Sequence, residues 1–208
     1  MKKVGILGGT FDPIHLGHIE LARCALNQYE LDTVLVMTGG MPPHKRGVIT
    51  DAALRHEMVK LALSGEEEIV PYDYEVSKTE YSYTAKTLTE LKKLHPEWEI
   101  YFIIGEDSLQ DLTKWYEPQT VTDNCILLVY PRDNNSQLDT LITERKSNFN
   151  ADIRPINANV VDISSTDIRE RIKKGLDVKD LTEAEVEEYI LKEIQTERKK
   201  QEIDVFFL

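Results

Sequence analysis

Two histidines three residues apart, His15 and His18, close the run Gly8-Gly9-Thr10-Phe11-Asp12-Pro13-Ile14-His15-Leu16-Gly17-His18. Residues three apart share one side of a helical turn, so both rings face the same way if a helix begins there. Imidazoles can donate to an anion, and a helix N-terminus adds backbone N–H groups and a favourable dipole. Residue types alone leave three readings open. The glycines could serve only a tight turn with a solvated histidine pair beside it. The pair could bind zinc, although two ligands are too few and no Cys or His cluster elsewhere completes a site. The third reading is a phosphate site.

The flanking elements would suit an anion site without deciding between these readings. Val4 to Leu7 is a short apolar run, as in a buried strand, and Ile19, Ala22, Ala25 and Leu26 recur at helical spacing. A strand, a glycine-bearing turn and a helix place backbone N–H groups around one point.

Further along, Thr33 to Met37 reads as a strand closing on Gly39-Gly40. The prolines keep Met41 to Arg46 extended. A helix is expected from about Asp51 to Ser64, with Leu54, Met58 and Leu61 inward and Gly65 as its stop. Ile69-Val70 is a short strand candidate, and Thr84 caps a helix carrying Leu88, Leu91 and Leu94 that ends before Pro96. Ile100 to Ile104 has the uninterrupted apolar character of a central parallel strand and opens into Gly105-Glu106-Asp107-Ser108. A helical stretch then ends at Trp115-Tyr116-Glu117-Pro118. Ile126 to Tyr130 is a strand, Pro131-Arg132 opens a polar segment, and Leu138 to Lys146 is helical. After Val160 to Ile163, Ser164-Ser165-Thr166 opens a helix with Ile168 and Ile172 that stops at Gly175. Thr182 and Glu185 have capping-box spacing for a last helix lined by Val186, Ile190 and Ile194.

Strands alternating with helices predict an α/β fold, an open parallel sheet with helices on both faces. Residues 1–195 read as a single domain whose C-terminal helical portion starts near 164. The tail 196–208 is charged and then apolar, a docked segment or a homo-oligomer contact.

With 208 residues, one such domain is the natural count. A net charge of −12 argues against a nucleic-acid groove, so an anionic ligand must be held by local cations and dipoles. Cys24 and Cys125 read as buried thiols rather than a disulfide. Met1-Lys2-Lys3 runs straight into a strand and no stretch is long enough to span a bilayer, so no membrane is involved and the expected compartment is the cytoplasm.

The N-terminal string resembles the H-x-G-H signature of the nucleotidylyltransferase superfamily, whose fold is Rossmann-like. Pro42-Pro43-His44-Lys45, Ser82-Tyr83-Thr84, Gly105-Glu106-Asp107-Ser108 with Trp115-Tyr116, and Ile163-Ser164-Ser165-Thr166-Asp167-Ile168-Arg169 follow in order. Together they look like the bacterial nicotinate-nucleotide adenylyltransferases over roughly residues 1 to 195. Where that family has a glycine-bearing turn after its arginine, Arg132 here precedes Asp133-Asn134-Asn135.

The resemblance implies adenylyl transfer from ATP to nicotinate mononucleotide, giving nicotinate adenine dinucleotide and pyrophosphate. It implies His15, His18, Lys45 and Arg169 as the catalytic set. ATP would meet Gly8, Gly9, Thr10, Phe11, His18, Gly105, Asp107, Ser164, Ser165, Thr166 and Arg169. The mononucleotide would meet Asp12, His44, Lys45, Thr84, Asp107, Trp115, Tyr116 and Arg132. Mg²⁺ would travel on the ATP phosphates without a protein cage. Read without the resemblance, Ser164 and Asp167 are a helix cap, Asp107 caps the next helix, and Trp115-Tyr116 is a packing pair. Phosphopantetheine adenylyltransferase is the nearest other member, but it has Thr-Asn-Gly-His where His15-Leu16-Gly17-His18 stands here. A class I aminoacyl-tRNA synthetase fragment would carry a Lys-Met-Ser-Lys-Ser loop that this chain lacks. A sensor that kept the fold would not require His15, His18, Lys45 and Arg169 together.

Overall fold

In the computed structural model the apolar runs become a parallel sheet in the order β3-β2-β1-β4-β5-β6. The structure describes residues 1–40, 50–78, 81–131, 137–158 and 163–193. Its strands are β1 (Lys2–Gly9), β2 (Thr33–Thr38), β3 (Ile69–Tyr72), β4 (Trp98–Gly105), β5 (Ile126–Tyr130) and β6 (Ile153–Pro155). The chain works outward from β1 to β3, then crosses back to lay β4 against the other side of β1. That reversal opens a crevice beyond the strand ends, the place where open α/β sheets bind ligands.

The pleat divides the core into two layers. Leu7, Tyr101, Ile103 and Leu128 point to one face, and α1 (Leu16–Gln28), α2 (Ala52–Ala62) and α8 (184–193) pack there. Val4, Ile6, Phe102, Ile104, Leu127 and Val129 point to the other, under α3 (Thr84–Leu94), α5 (Pro118–Asn124) and α6 (Leu138–Phe149). Two remaining helices, α4 (Glu106–Gln110) and α7 (Ser165–Lys173), stand at the strand ends. Side chains alternate between the layers with period two, so each strand is buried on both sides.

Several local expectations need correction. Gly8 and Gly9 belong to β1, paired with Met37 and Thr38, and the turn starts only at Thr10. Thr84 is the first residue of α3 and Tyr83 is its cap, while Leu94 is 60% exposed because it falls off the buried stripe of Leu88 and Leu91. In α2 the inward face is Arg55, Met58, Val59 and Ala62; Leu54 and Leu61 are half-buried, and the helix stops before Gly65. Pro118 opens α5 instead of ending a helix, as a proline without an N–H can at a first turn. The Thr182 hydroxyl donates to the Ile14 carbonyl at 3.0 Å, and the last helix begins two residues later. His44, Lys45, Arg132, Val160, Ile194 and the tail lie outside the described residues.

Candidate active site

A cavity of about 310 Å³ opens at the crevice. Gly8, Gly9, Thr10 and Phe11 form one wall and Ile104, Gly105 and Ser108 another, with His18, Thr84 and Trp115 also on the lining; of these, all but Ile104 and Ser108 are sequence-expected. The strand ends deliver the first two groups, and α1 and α3 deliver His18 and Thr84.

Phe11 turns the chain out of β1 in the left-handed region, with φ of 49°, and its ring is buried. That turn works only beside glycine: a Cβ on Gly9 would lie 2.7 Å from two carbons of the Phe11 ring. Local strain of this kind persists where the surroundings over-determine the conformation. Here they do. The Thr10 carbonyl accepts from Arg55 at 2.6 Å and the Asp12 carbonyl from Arg169 at 2.6 Å. The Pro13 carbonyl accepts from the Ser165 hydroxyl at 2.9 Å, and Ile14 from Thr182. Four side chains from distant parts of the chain thus hold one short turn by its oxygens.

The two histidines do different things. His18 Nδ1 accepts the His15 backbone N–H at 3.2 Å, which leaves Nε2 as the protonated nitrogen of the neutral ring. Its ring stacks on His15 with centroids 3.6 Å apart and meets Phe11 edge-on at 5.0 Å. His15 is 7% exposed, and desolvation lowers its pKa to about 4. Its Nδ1 is buried with no partner among the described residues.

The unfolded chain binds the His15 proton near pH 6.5, while the folded protein binds it only near pH 4. Stability held by the neutral ring is therefore full above about pH 6.5 and drains away as pH falls toward 4. Denaturant unfolding at pH 7.5 and pH 5 should show about 2 kcal/mol lost through this group, and His15→Gln should remove most of that difference.

Other expected residues stand elsewhere. Asp12 is buried outside the cavity wall, and its carboxylate accepts from the Thr50 N–H at 3.3 Å. Ser164 caps α7 by accepting from the Asp167 N–H at 3.0 Å, while Arg169 also donates to the Thr166 hydroxyl at 3.2 Å. Asp107 sits in the first turn of α4, near enough to Tyr130 that its charge, after burial, helps push that phenol's pKa up. Tyr116 is 45% exposed, its ring 4.8 Å from Tyr83. The Lys86 ammonium lies 5.5 Å from one of these rings and 5.9 Å from the other.

Besides Ile104 and Ser108, sequence reasoning missed the apolar wall residues Leu7, Met37, Phe102 and Ile103, and also Gly39, Glu75, Ser82 and Tyr130. Tyr130 ends a strand that was anticipated, so position in the sheet was the available signal. Ser82 stood in a quoted motif, and its Oγ is buried without a partner among the described residues. Glu75 carried no signal. It is 5% exposed and accepts from the Thr87 hydroxyl at 2.6 Å. Among the described lining residues there is no lysine or arginine.

A parallel sheet with a phosphate-type turn and paired histidines at its switch point defines a nucleotidyl-transferring protein, and residues 6–171 match the cytidylyltransferase-like family. Over 185 residues the chain is 43% identical to a protein of Clostridium tetani, covering 87% of this chain and 92% of the relative. A Caldicellulosiruptor bescii protein is 36% identical over 90% of this chain and 95% of its own. Both bear the name "Probable nicotinate-nucleotide adenylyltransferase". The chain belongs to the nicotinate-nucleotide adenylyltransferase family. The fold agrees: nicotinic acid mononucleotide adenylyltransferase of Plasmodium falciparum complexed with NaAD superposes with a TM-score of 0.77 at 22% identity, over 92% of this chain and 96% of that one.

Proposed function

We propose that the cavity binds ATP and nicotinate mononucleotide and joins them as nicotinate adenine dinucleotide, releasing pyrophosphate. A phosphate oxygen of the mononucleotide forms the new bond to the α-phosphorus. The bond from that phosphorus to the bridging oxygen breaks, and the electron pair leaves with pyrophosphate. The nucleophile is already an anion, so no general base is required; alignment and charge stabilisation carry the rate.

The observation that carries this reading is His18. Its Nδ1 is committed to the backbone, so its Nε2–H is a fixed donor on a cavity walled by Gly8 to Phe11. We assign it to the α- and β-phosphate oxygens, where charge builds during transfer. His15 stays neutral at physiological pH and supports the His18 ring from behind. The α7 start, with Ser164, Ser165, Thr166 and Arg169, is assigned to the β- and γ-phosphates. Trp115 offers a flat wall to the pyridine ring, and the α3 start at Thr84, with Tyr116, faces its carboxylate. Gly105 and Asp107 fall to the adenosine and ribose side. His44, Lys45 and Arg132 keep the roles the resemblance gives them. The Ser82 hydroxyl on the wall, unpartnered among the described residues, suits a polar ligand.

Among the described residues no three His, Cys, Asp or Glu side chains converge to hold a metal. Mg²⁺ would be carried in on ATP, where it would shield the phosphates. Among the same residues no helix is long and apolar enough to cross a membrane.

Pyrophosphate release is the test. With ATP, nicotinate mononucleotide should be used over its amide by more than about tenfold in kcat/KM, since donors set for a carboxylate are poorly satisfied by a neutral group. Equal rates would remove the acid preference; no pyrophosphate with either would remove the activity.

A further inference from the structure

We propose that Arg55 is a positioning residue for adenylyl transfer, holding the phosphate turn and both described ends of the 40–50 segment in one fixed arrangement. Arg55 is 2% exposed, an unusual depth for a guanidinium. Its Nε donates to the Thr50 carbonyl at 2.8 Å, one terminal nitrogen to Thr10 at 2.6 Å, and the other to Gly40 at 2.9 Å. All three acceptors are main-chain carbonyls, and among the described residues no salt bridge accounts for the placement. Asp12 and Asp51 lend the buried charge long-range support.

The geometry has a directional consequence. In a trans peptide the N–H points opposite to its C=O. Drawing the Thr10 oxygen toward Arg55 turns the Phe11 N–H the other way. Asp12 ties the same corner, since its carboxylate accepts the Thr50 N–H. Gly40 and Thr50 bracket the stretch that carries His44 and Lys45, so one planar group sets the spacing of that stretch's ends against the turn at Thr10. A lysine ammonium is a point donor and cannot span three carbonyls set around a fork.

The role rests on the adenylyl-transfer reading, so two readouts are needed. Arg55→Lys and Arg55→Ala are compared with the parent for melting temperature, for kcat and both KM values, and for amide hydrogen exchange. In folded Arg55→Lys, kcat should fall at least tenfold while the KM values for ATP and mononucleotide move less than threefold. Added guanidinium should restore part of the turnover of Arg55→Ala. Exchange over residues 9–15 should rise while β4 keeps the parent's protection; this readout needs no substrate, so an inactive parent would count against the activity alone. The proposal is overturned by unchanged exchange at 9–15, by kcat per folded molecule within twofold of the parent, or by failure of both variants to fold, which would make Arg55 part of the fold only.

Discussion

His18→Ala is expected to lower turnover by about ten- to a hundred-fold or more. A charge-assisted hydrogen bond is worth about 1.5–3 kcal/mol, and the loss appears in kcat if the bond tightens only as charge builds on the phosphates. The alanine variant also loses the acceptor for the His15 N–H and the stack on the His15 ring, so some stability should go with it. His18→Asn separates the two effects. Its side-chain oxygen can take the place of Nδ1 toward the His15 N–H, but nothing replaces the far nitrogen. Asparagine should therefore recover most of the melting temperature and almost none of the turnover. Wild-type kcat in a folded His18→Asn protein would remove His18 from the chemistry.

The second large effect is expected at Gly40. A Cβ there would stand 2.3 Å from the Glu75 carbonyl oxygen, a backbone atom that no rotamer change can move, and 3.2 Å from the Ser82 hydroxyl. Gly40→Ala must displace one chain or the other, which costs about 1–3 kcal/mol and possesses no cheap relaxation. For a domain of this size that corresponds to a fall in Tm of roughly 3–10 °C. Because the Gly40 carbonyl is also an Arg55 acceptor, kcat should fall with stability. Gly65 is the control: nothing lies within 4 Å of an added Cβ, and Gly65→Ala should leave Tm and kcat within error. Equal melting curves for the two variants would show that the contact at Gly40 relaxes freely.

The sheet was legible where burial writes itself into composition. Ile100 to Ile104 and Ile126 to Tyr130 are unbroken apolar runs because helices cover both sides of β4 and β5. β6 was not legible: Ile153–Pro155 is three residues with an arginine and a proline, paired at the sheet edge with β5 on one side. Pro118 misled because a proline can end one helix or open another, and only the neighbouring structure decides. Within the site, His18, Gly9 and Trp115 were legible from a local string. Glu75 was not, because its place on the wall depends on Thr87 and on the ends of β1 and β2 arriving together. Asp12 shows the converse. Its motif was plain, but only coordinates reveal that its carboxylate and carbonyl are spent on Thr50 and Arg169.

The four tethered carbonyls of the phosphate turn bear on how the protein is made. Synthesis delivers the chain from its N-terminus, so the turn emerges among the first residues. Three of its four tethers, Ser165, Arg169 and Thr182, emerge after all six described strands. A nascent chain can therefore expose all six described strands while Arg55 is the one of the four carbonyl tethers already made. The last three tethers are therefore made only after every described strand has been synthesised.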